Sequence, residues 1–149
     1  MREDGLSTVK RAAFLITGIL CMGMGSTPPT ATGDISVTTG HIVLTGGTCL
    51  QNPSRNVTIT ATPLRLYGGG GHSTTQTKIE LMPTTPTNLG ADEVGQPVFG
   101  CQVATTFHGL NVGEWVVNVS GPFGPRSCTV SVRFRNTTYI KLFGPGCEE

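Results

Sequence analysis

The segment of residues 107–120 constrains the fold more than any other part of the sequence. It reads as the end of one strand, a tight glycine-containing turn and a second strand that opens with Trp115, the only tryptophan. Every second residue of that strand is apolar, which is typical of a half-buried β-strand. We therefore predict a hairpin in which Leu110 and Trp115 anchor the core and Gly113 makes the turn.

The same alternation recurs in short segments that Gly, Pro and Asn separate. In residues 56–62 threonine alternates with valine, isoleucine and alanine, as in an antiparallel sheet with one solvated face. Charged residues are only 13 % of the 149 residues, and the residues that favour helices are scarce. We predict an all-β sandwich of seven to eight strands, with a flexible tip at residues 68–71 and a long loop at residues 83–97. The predicted strand segments are residues 35–38, 41–45, 56–62, 64–67, 77–82, 98–107, 115–120, 128–134 and 138–143.

The N-terminus has the organisation of a secretory signal. Lys10 and Arg11 precede an apolar run at residues 12–25, which is short for a membrane span of roughly 20 residues, and small residues follow. We expect residues 1–25 to be a signal peptide or N-terminal anchor, residues 26–34 a spacer and residues 35–149 the β-sandwich domain. The protein is then secreted or lies on the extracellular side of the cell envelope.

Four cysteines remain once the N-terminal segment is set aside, and an even number in an exported chain indicates two disulfides. Folding the last two strands about a turn at residues 136–137 would bring Cys128 opposite Cys147, which favours Cys128–Cys147 with Cys49–Cys101. The alternative is Cys101–Cys128 with Cys49–Cys147, because Cys101 and Cys128 lie at one end of the predicted hairpins. No C-x-x-C or H-x-x-x-H spacing supports a zinc site.

Charge is balanced in the predicted domain, where seven Lys and Arg residues from Asp34 onward face seven Asp and Glu residues. A neutral body without a basic stripe argues against nucleic acid as a partner, and it leaves membrane contact to the N-terminal segment.

No histidine lies at a spacing that defines a catalytic motif. His108 and Glu114, across the predicted hairpin, form the one pair worth considering as an acid–base couple, although a surface pair without catalytic use is the commoner arrangement. Asp92 and Glu93 lack the dense carboxylates of a calcium loop, and residues 68–71 lack the Lys-Ser/Thr ending of a phosphate loop. We predict no catalytic residue, no metal and no cofactor.

Two kinds of surface group could still carry function. Exposed aromatic rings stack on sugars, although such rings more often fill the core of an aromatic-poor domain. The candidate rings are Tyr67, Phe123, Tyr139 and Phe143. Three N-glycosylation sequons, relevant in a host that glycosylates, begin at Asn56, Asn118 and Asn136.

The run F-x-G-L-x-x-G-x-W-x-V-x-V at residues 107–119 resembles the F-x-x-L-x-P-G-x-Y-x-L-x-V signature of carboxypeptidase regulatory-like and Cna-B-type domains. Residues 56–61 resemble the second strand of that family, and residues 128–134 and 138–142 resemble its closing pair. The resemblance covers roughly residues 40–143, with Val112 at the usual Pro and Trp115 at the usual Tyr. It implies a transthyretin-like, seven-stranded sandwich of exported bacterial proteins, related in architecture to immunoglobulin-like domains and lacking catalytic residues of its own.

These observations lead to one expectation of function and two alternatives. We expect a disulfide-linked, non-catalytic structural or interaction module, with carbohydrate or another surface protein as its partner. The first alternative is a carbohydrate-binding or adhesion domain, which would need an exposed aromatic strip. The second is a small hydrolase that uses His108 and Glu114.

Overall fold

A computed structural model of the chain describes residues 31–50 and 54–149. The predicted signal peptide or anchor at residues 1–25 and most of the predicted spacer lie outside the described residues. The first strand begins at Thr32, within the predicted spacer and ahead of the predicted domain start at residue 35.

The described residues form eight strands and no helix, and two four-stranded sheets pack face to face. The predicted all-β sandwich is confirmed. Sheet A has the strand order β4-β5-β1-β8, and sheet B has the order β3-β2-β6-β7. The strands are β1 (Thr32–Val43), β2 (Asn56–Leu66), β3 (Gln76–Leu81), β4 (Thr87–Ala91), β5 (Pro97–Asn111), β6 (Gly113–Ser120), β7 (Arg126–Val132) and β8 (Thr137–Leu142).

The strand order distinguishes this sandwich from the immunoglobulin arrangement. In immunoglobulin constant-type domains the first two strands are neighbours in one sheet. Here β1 and β2 lie in different sheets, and β1 pairs antiparallel with β5 and parallel with β8.

Besides small shifts at other strand ends, three features of the strand arrangement differ from the predicted segments. β1 runs without a break through Gly40, where a Cβ atom would overlap the carbonyl group of Cys101, so this glycine permits a close approach of β1 to β5. β2 continues past Pro63 with a bulge and includes most of the separate strand predicted at residues 64–67. β4 lies inside the segment that was predicted to be a long loop. Its residues are mostly exposed and show no apolar alternation, so the sequence pattern did not indicate a strand there.

The predicted hairpin at residues 107–120 is wrong. Only Val112 separates β5 from β6, yet the two strands belong to different sheets, so the chain crosses the sandwich here. Gly113 is the first residue of β6, with φ of 151°, and a side chain there would overlap the carbonyl oxygen of Arg65 on β2. Leu110 and Trp115 are fully buried, and the Trp115 indole N–H donates to the carbonyl of Asn111 at 2.9 Å.

The core consists of the inward side chains of both sheets. Lys78, on edge strand β3, also points inward, and its ammonium donates to the Thr106 carbonyl of β5 at 2.6 Å. An inward charge on an edge strand discourages pairing with another chain. The fully buried large side chains include Trp115, Phe107, Ile35, Ile59, Met82, Leu110, Ile140 and Leu142.

Two disulfides join the sandwich to its loops, Cys49 with Cys101 and Cys128 with Cys147. This is the first of the two connectivities considered from the sequence, but the hairpin that suggested it does not form. β7 and β8 lie in different sheets, and the tail after β8 returns to reach Cys128.

The glycine segment at residues 68–71, predicted to be a flexible tip, is tied to β5. The Gly71 N–H donates to Asn111 Oδ1 at 2.6 Å, and the His72 N–H donates to the Gly109 carbonyl at 2.8 Å.

Candidate functional site

A groove crosses the outer face of sheet A where β1 and β5 carry glycine. Strand alternation points Thr38 and Gln102 outward. Gly40 and Gly100 occupy the neighbouring outward positions, since Gly40 pairs with Gln102 and Gly100 pairs with Ile42. Across these strands lies a depression of about 540 Å³, which we call the sheet A groove. Its lining consists of Thr38, Ile42, Asn88, Leu89, Gln102, Lys141, Phe143 and Glu148.

The sheet A groove combines apolar walls with amide groups. Leu89 packs into the space that a side chain at Gly100 would take, so β4 supplies one wall. Phe143 and Ile42 add apolar surface, and the lining also includes the amide side chains of Asn88 and Gln102. A few polar groups on apolar walls are typical of ligand sites, because the apolar surface gives affinity and the polar groups give orientation.

Lys141 and Glu148 bring opposite charges to the groove. Their backbones pair, with the Lys141 N–H donating to the Glu148 carbonyl at 2.8 Å and the reverse bond at 3.0 Å. Cys147, next to Glu148, is bonded to Cys128 of β7. The disulfide therefore holds the C-terminal tail against β8 and keeps Glu148 at the groove.

Two of the four candidate aromatic rings share one face of the molecule. Tyr139 and Lys141 alternate along β8 and point to the outer face of sheet A. Phe143, the first residue after β8, lines the groove together with Lys141. Tyr139 is 70 % exposed, whereas Phe143 is partly buried in the groove. Tyr67, 64 % exposed, follows β2 of the other sheet. Phe123 packs against the core with the guanidinium of Arg126 over its ring.

His108 pairs with Asp34, further along the outer face of sheet A. A bulge sets two residues of β5, His108 and Gly109, against one residue of β1, Asp34. Gly109 adopts φ of 65°, in the left-handed region that favours glycine. The Asp34 carboxylate contacts His108 Nδ1 at 3.0 Å and accepts from the Gly109 N–H at 2.9 Å.

The environment of Asp34 favours its charged form. Partial burial alone would raise the pKa of Asp34, but the hydrogen bonds from Gly109 and His108 and the attraction of His108 outweigh burial and lower this pKa. His108 is mostly exposed, with 72 % of its side chain accessible. The pair therefore stabilises the bulge at the surface.

The predicted pair of His108 and Glu114 does not form. His108 lies on sheet A, whereas Glu114 lies on β6 of sheet B, opposite Arg65 and Ser131. The hydrolase alternative that used these two residues is therefore wrong in its geometry.

A second polar cluster joins the two sheets at the end of the sandwich. Arg126 of β7 donates to the carbonyls of Gly40 and Leu142 in sheet A, and it covers the Phe123 ring at 4.1 Å. His41 lies beside it and accepts from the Leu50 N–H at 3.3 Å. Burial and the charge of Arg126 lower the pKa of His41, so its ring is neutral at pH 7.

Within residues 31–50 and 54–149, no group of three or more His, Cys, Asp or Glu side chains is placed to hold a metal ion. Asp92, considered above for calcium, accepts from the N–H groups of Val94 and Gln96 and closes the turn between β4 and β5. The same part of the chain contains no helix with the length and apolar character of a membrane span.

Comparisons with protein-family models, curated proteins and solved structures found no match to this chain. Of the lining residues of the sheet A groove, sequence reasoning named only Phe143 as a candidate for binding. The available signal was Gly100 inside a predicted strand segment, since glycine in a strand often marks a close approach, which Leu89 of β4 makes here.

Proposed function

We propose that this protein is an exported, non-catalytic interaction module that binds its partner in the sheet A groove. Two disulfides support an oxidising location, because such bonds persist outside the reducing cytosol. The apolar N-terminal run preceded by Lys10 and Arg11 supports export through a signal peptide or anchor.

We further propose that the domain is transthyretin-like. The supporting observations are the two four-stranded sheets and the placement of the signature-like segment at the crossing from β5 to β6. The short β4 is then an addition to seven strands, and it contributes Asn88 and Leu89 to the groove.

The groove itself is the single observation that carries the proposal. It has about 540 Å³ of open space between Leu89, Phe143 and Ile42, with amides, a lysine and a glutamate around them. No group of three or more potential metal ligands lies among the described residues, and the only histidine ion pair there is the surface pair with Asp34. This combination suits recognition of a ligand better than chemical conversion of one.

A carbohydrate-binding role is the second candidate, and the row of Tyr139, Lys141 and Phe143 favours it. Two aromatic rings on one face offer stacking surfaces for a short glycan. The groove amides would then hydrogen-bond the sugar hydroxyls, in a site with both apolar stacking surface and polar donors.

Site-specific photocrosslinking tests the groove as the interaction surface. A photoreactive residue at Gln102 in the groove should crosslink a partner in the cells that produce the protein. The same group at Thr129, exposed on sheet B, is the matched control. Equal crosslinking at both positions, or none at position 102, would contradict the proposed surface.

Affinity electrophoresis in gels that contain neutral polysaccharides tests the carbohydrate role. We expect at least one polysaccharide to retard the protein and the single substitutions Tyr139→Ala and Phe143→Ala to abolish this retardation. Tyr67→Ala should leave it unchanged, because Tyr67 follows a strand of the other sheet. The absence of retardation by every polysaccharide would rule out this second candidate and leave a protein partner.

A further inference from the structure

The outer face of sheet B carries mainly hydroxyl and amide groups. The β2–β6 register places Thr58 beside Ser120 and Thr60 beside Asn118, and all four side chains point outward. On the neighbouring strands, β3 adds Thr77 and the exposed Ile79 and Leu81, and β7 adds further serines and threonines. Two of the three sequons, at Asn56 and Asn118, lie on this face.

Asparagines outside sequons have structural tasks in the described chain. Asn88 Oδ1 accepts from the Gly90 N–H at 2.8 Å, which shapes the bulge of β4. The buried Asn111 accepts from the Gly71 N–H at 2.6 Å.

Asparagines that begin sequons are free of such tasks. Asn56, Asn118 and Asn136 are all exposed, and none of their side-chain amides hydrogen-bonds to a described residue. In the part of the chain that the structure describes, each sequon asparagine therefore has an exposed side-chain amide without a hydrogen-bond partner, whereas the other two asparagines do not.

Strand geometry presents two of the sequons in a uniform way. Residues i and i+2 of a strand point to the same side about 7 Å apart, so the hydroxyls of Thr58 and Ser120 flank Asn56 and Asn118 on the solvent side. Asn56 and Asn118 are about 13 Å apart along the strand direction, because Asn118 pairs with Thr60, four residues after Asn56. That spacing separates two sugar chains on one face.

We propose that Asn56, Asn118 and Asn136 are acceptor sites for N-linked glycans, and that the glycans on Asn56 and Asn118 cover the outer face of sheet B. This inference rests on the export in the proposed function. In the modification, the side-chain amide nitrogen loses a proton and bonds to the anomeric carbon of a glycosyl diphosphate donor, whose diphosphate leaves.

The surroundings of Asn118 suit a covering sugar. A shallow groove of about 370 Å³ beside it is lined by the hydroxyl side chains of Thr58, Thr60, Ser120 and Ser127. Arg126 also lines this groove, but its guanidinium is already engaged by backbone carbonyls of sheet A. A glycan on this face exchanges water for its own hydroxyls and leaves no buried charge unpaired.

Mass spectrometry of the full chain, produced in a eukaryotic cell line that N-glycosylates secreted proteins, tests the assignment. Intact mass is measured before and after an amidase that releases N-glycans and converts each acceptor asparagine into aspartate. We expect released glycans and aspartate at positions 56, 118 and 136. Thr58→Val and Ser120→Ala should each remove one glycan, whereas Thr58→Ser, Ser120→Thr and Asn88→Gln should leave the glycan number unchanged.

A second version of the chain separates this inference from export. In it, a secretion leader of proven function replaces residues 1–25. If only this version is glycosylated, the native segment does not export the chain and the acceptor assignment still holds. Disulfide-bonded secreted protein with unmodified Asn56 and Asn118 would overturn the inference, and a glycan on Asn136 alone would overturn the coverage of sheet B.

Discussion

The two outer faces of this sandwich are built on one core and differ in chemistry. The sheet A face carries Asp34, His108, Lys141 and Glu148 together with an open groove. The sheet B face is largely hydroxyl and amide, with the exposed Ile79 and Leu81 on its β3 edge. Its outward charges are Arg65 and Glu114, which oppose each other near one end. This difference supports the two proposals made above, that the sheet A face binds a partner and that the sheet B face carries sugar.

The comparison also teaches where sequence is free to vary in such a domain. Inward positions of both sheets hold Val, Ile, Leu and Trp because the interior must be closely packed. Outward positions must only tolerate a pleated, solvated backbone, and Thr does so on either sheet. The faces can therefore diverge in function while sharing one fold.

Removal of the shared anchor should abolish both faces together. We expect Trp115→Ala to cost about 3–5 kcal/mol, because a fully buried indole and its hydrogen bond to Asn111 are lost. Urea unfolding measures the loss. Val116→Ala, at the neighbouring outward position, should cost far less, and wild-type unfolding of Trp115→Ala would show that the core lies elsewhere.

Removal of one disulfide should affect the sheet A face selectively. The double change Cys128→Ser and Cys147→Ser opens a link between residues 19 apart and should cost about 2–4 kcal/mol in urea unfolding. It also frees the tail that pairs Glu148 with Lys141, so amide hydrogen exchange at Lys141 should accelerate while exchange at Thr60 follows only global stability.

The other disulfide provides the control for that selectivity. The cysteines of this bond are 52 residues apart, and Cys49→Ser with Cys101→Ser should cost a similar free energy of unfolding. The backbone hydrogen bonds between Lys141 and Glu148 should stay protected from exchange. Equal exchange at Lys141 in both double variants would contradict the idea that Cys128–Cys147 shapes the groove.

Low pH should lower the stability of the domain through protonation of Asp34 on the sheet A face. Because its folded-state pKa is lowered, Asp34 contributes stability above its unfolded pKa of about 3.9, and this contribution is lost as pH falls through the folded pKa. We expect Asp34→Asn to cost about 1 kcal/mol at pH 7, because the hydrogen bonds of the carboxylate are charge-assisted. Urea unfolding measured from pH 2 to pH 7 should show that the free energy of unfolding falls less steeply with acid in Asp34→Asn than in the wild type. An unchanged slope would contradict this role.

A smaller pH effect should arise at the junction of the sheets, from His41. Its folded-state pKa is lowered, so the unfolded chain binds more protons and stability falls as pH drops below the unfolded value of about 6.5. Protonation also removes the acceptor for the Leu50 N–H. His41→Gln should flatten stability between pH 5 and pH 7, and unchanged Leu50 exchange across this range would argue against the mechanism.

The sequence predicted the sandwich because alternation reports which side of a strand is buried. It did not predict the partner of each strand, since the same alternation in β5 and β6 fits a hairpin or a crossing between sheets equally well. The disulfide between Cys128 and Cys147 was favoured through a hairpin that does not exist. Proximity arises instead from the tail that folds back after β8.

The candidate site was less accessible to sequence reasoning than the fold. Four of its lining residues lie on β4, on β5 beside a glycine, or on the tail, and their proximity depends on tertiary pairing. Tyr139 and Phe143 were named as candidate rings, but only the alternation along β8 with Lys141 between them places both on one face. The Asp34–His108 pair depends on a bulge that no residue pattern predicted.

An exchange of residues between the faces gives the smallest expected effect and the sharpest comparison. Thr129→Lys adds a charge to the neutral face, and Lys141→Thr removes one from the groove; both side chains are exposed, so each change in stability should stay within about 0.5 kcal/mol. Thr129→Lys should be slightly destabilising and Lys141→Thr slightly stabilising, because Thr suits strands better than Lys. Partner binding, measured with the ligand identified by crosslinking at position 102, should weaken only in Lys141→Thr. Equal weakening in both variants would mean that the two faces do not divide recognition as proposed.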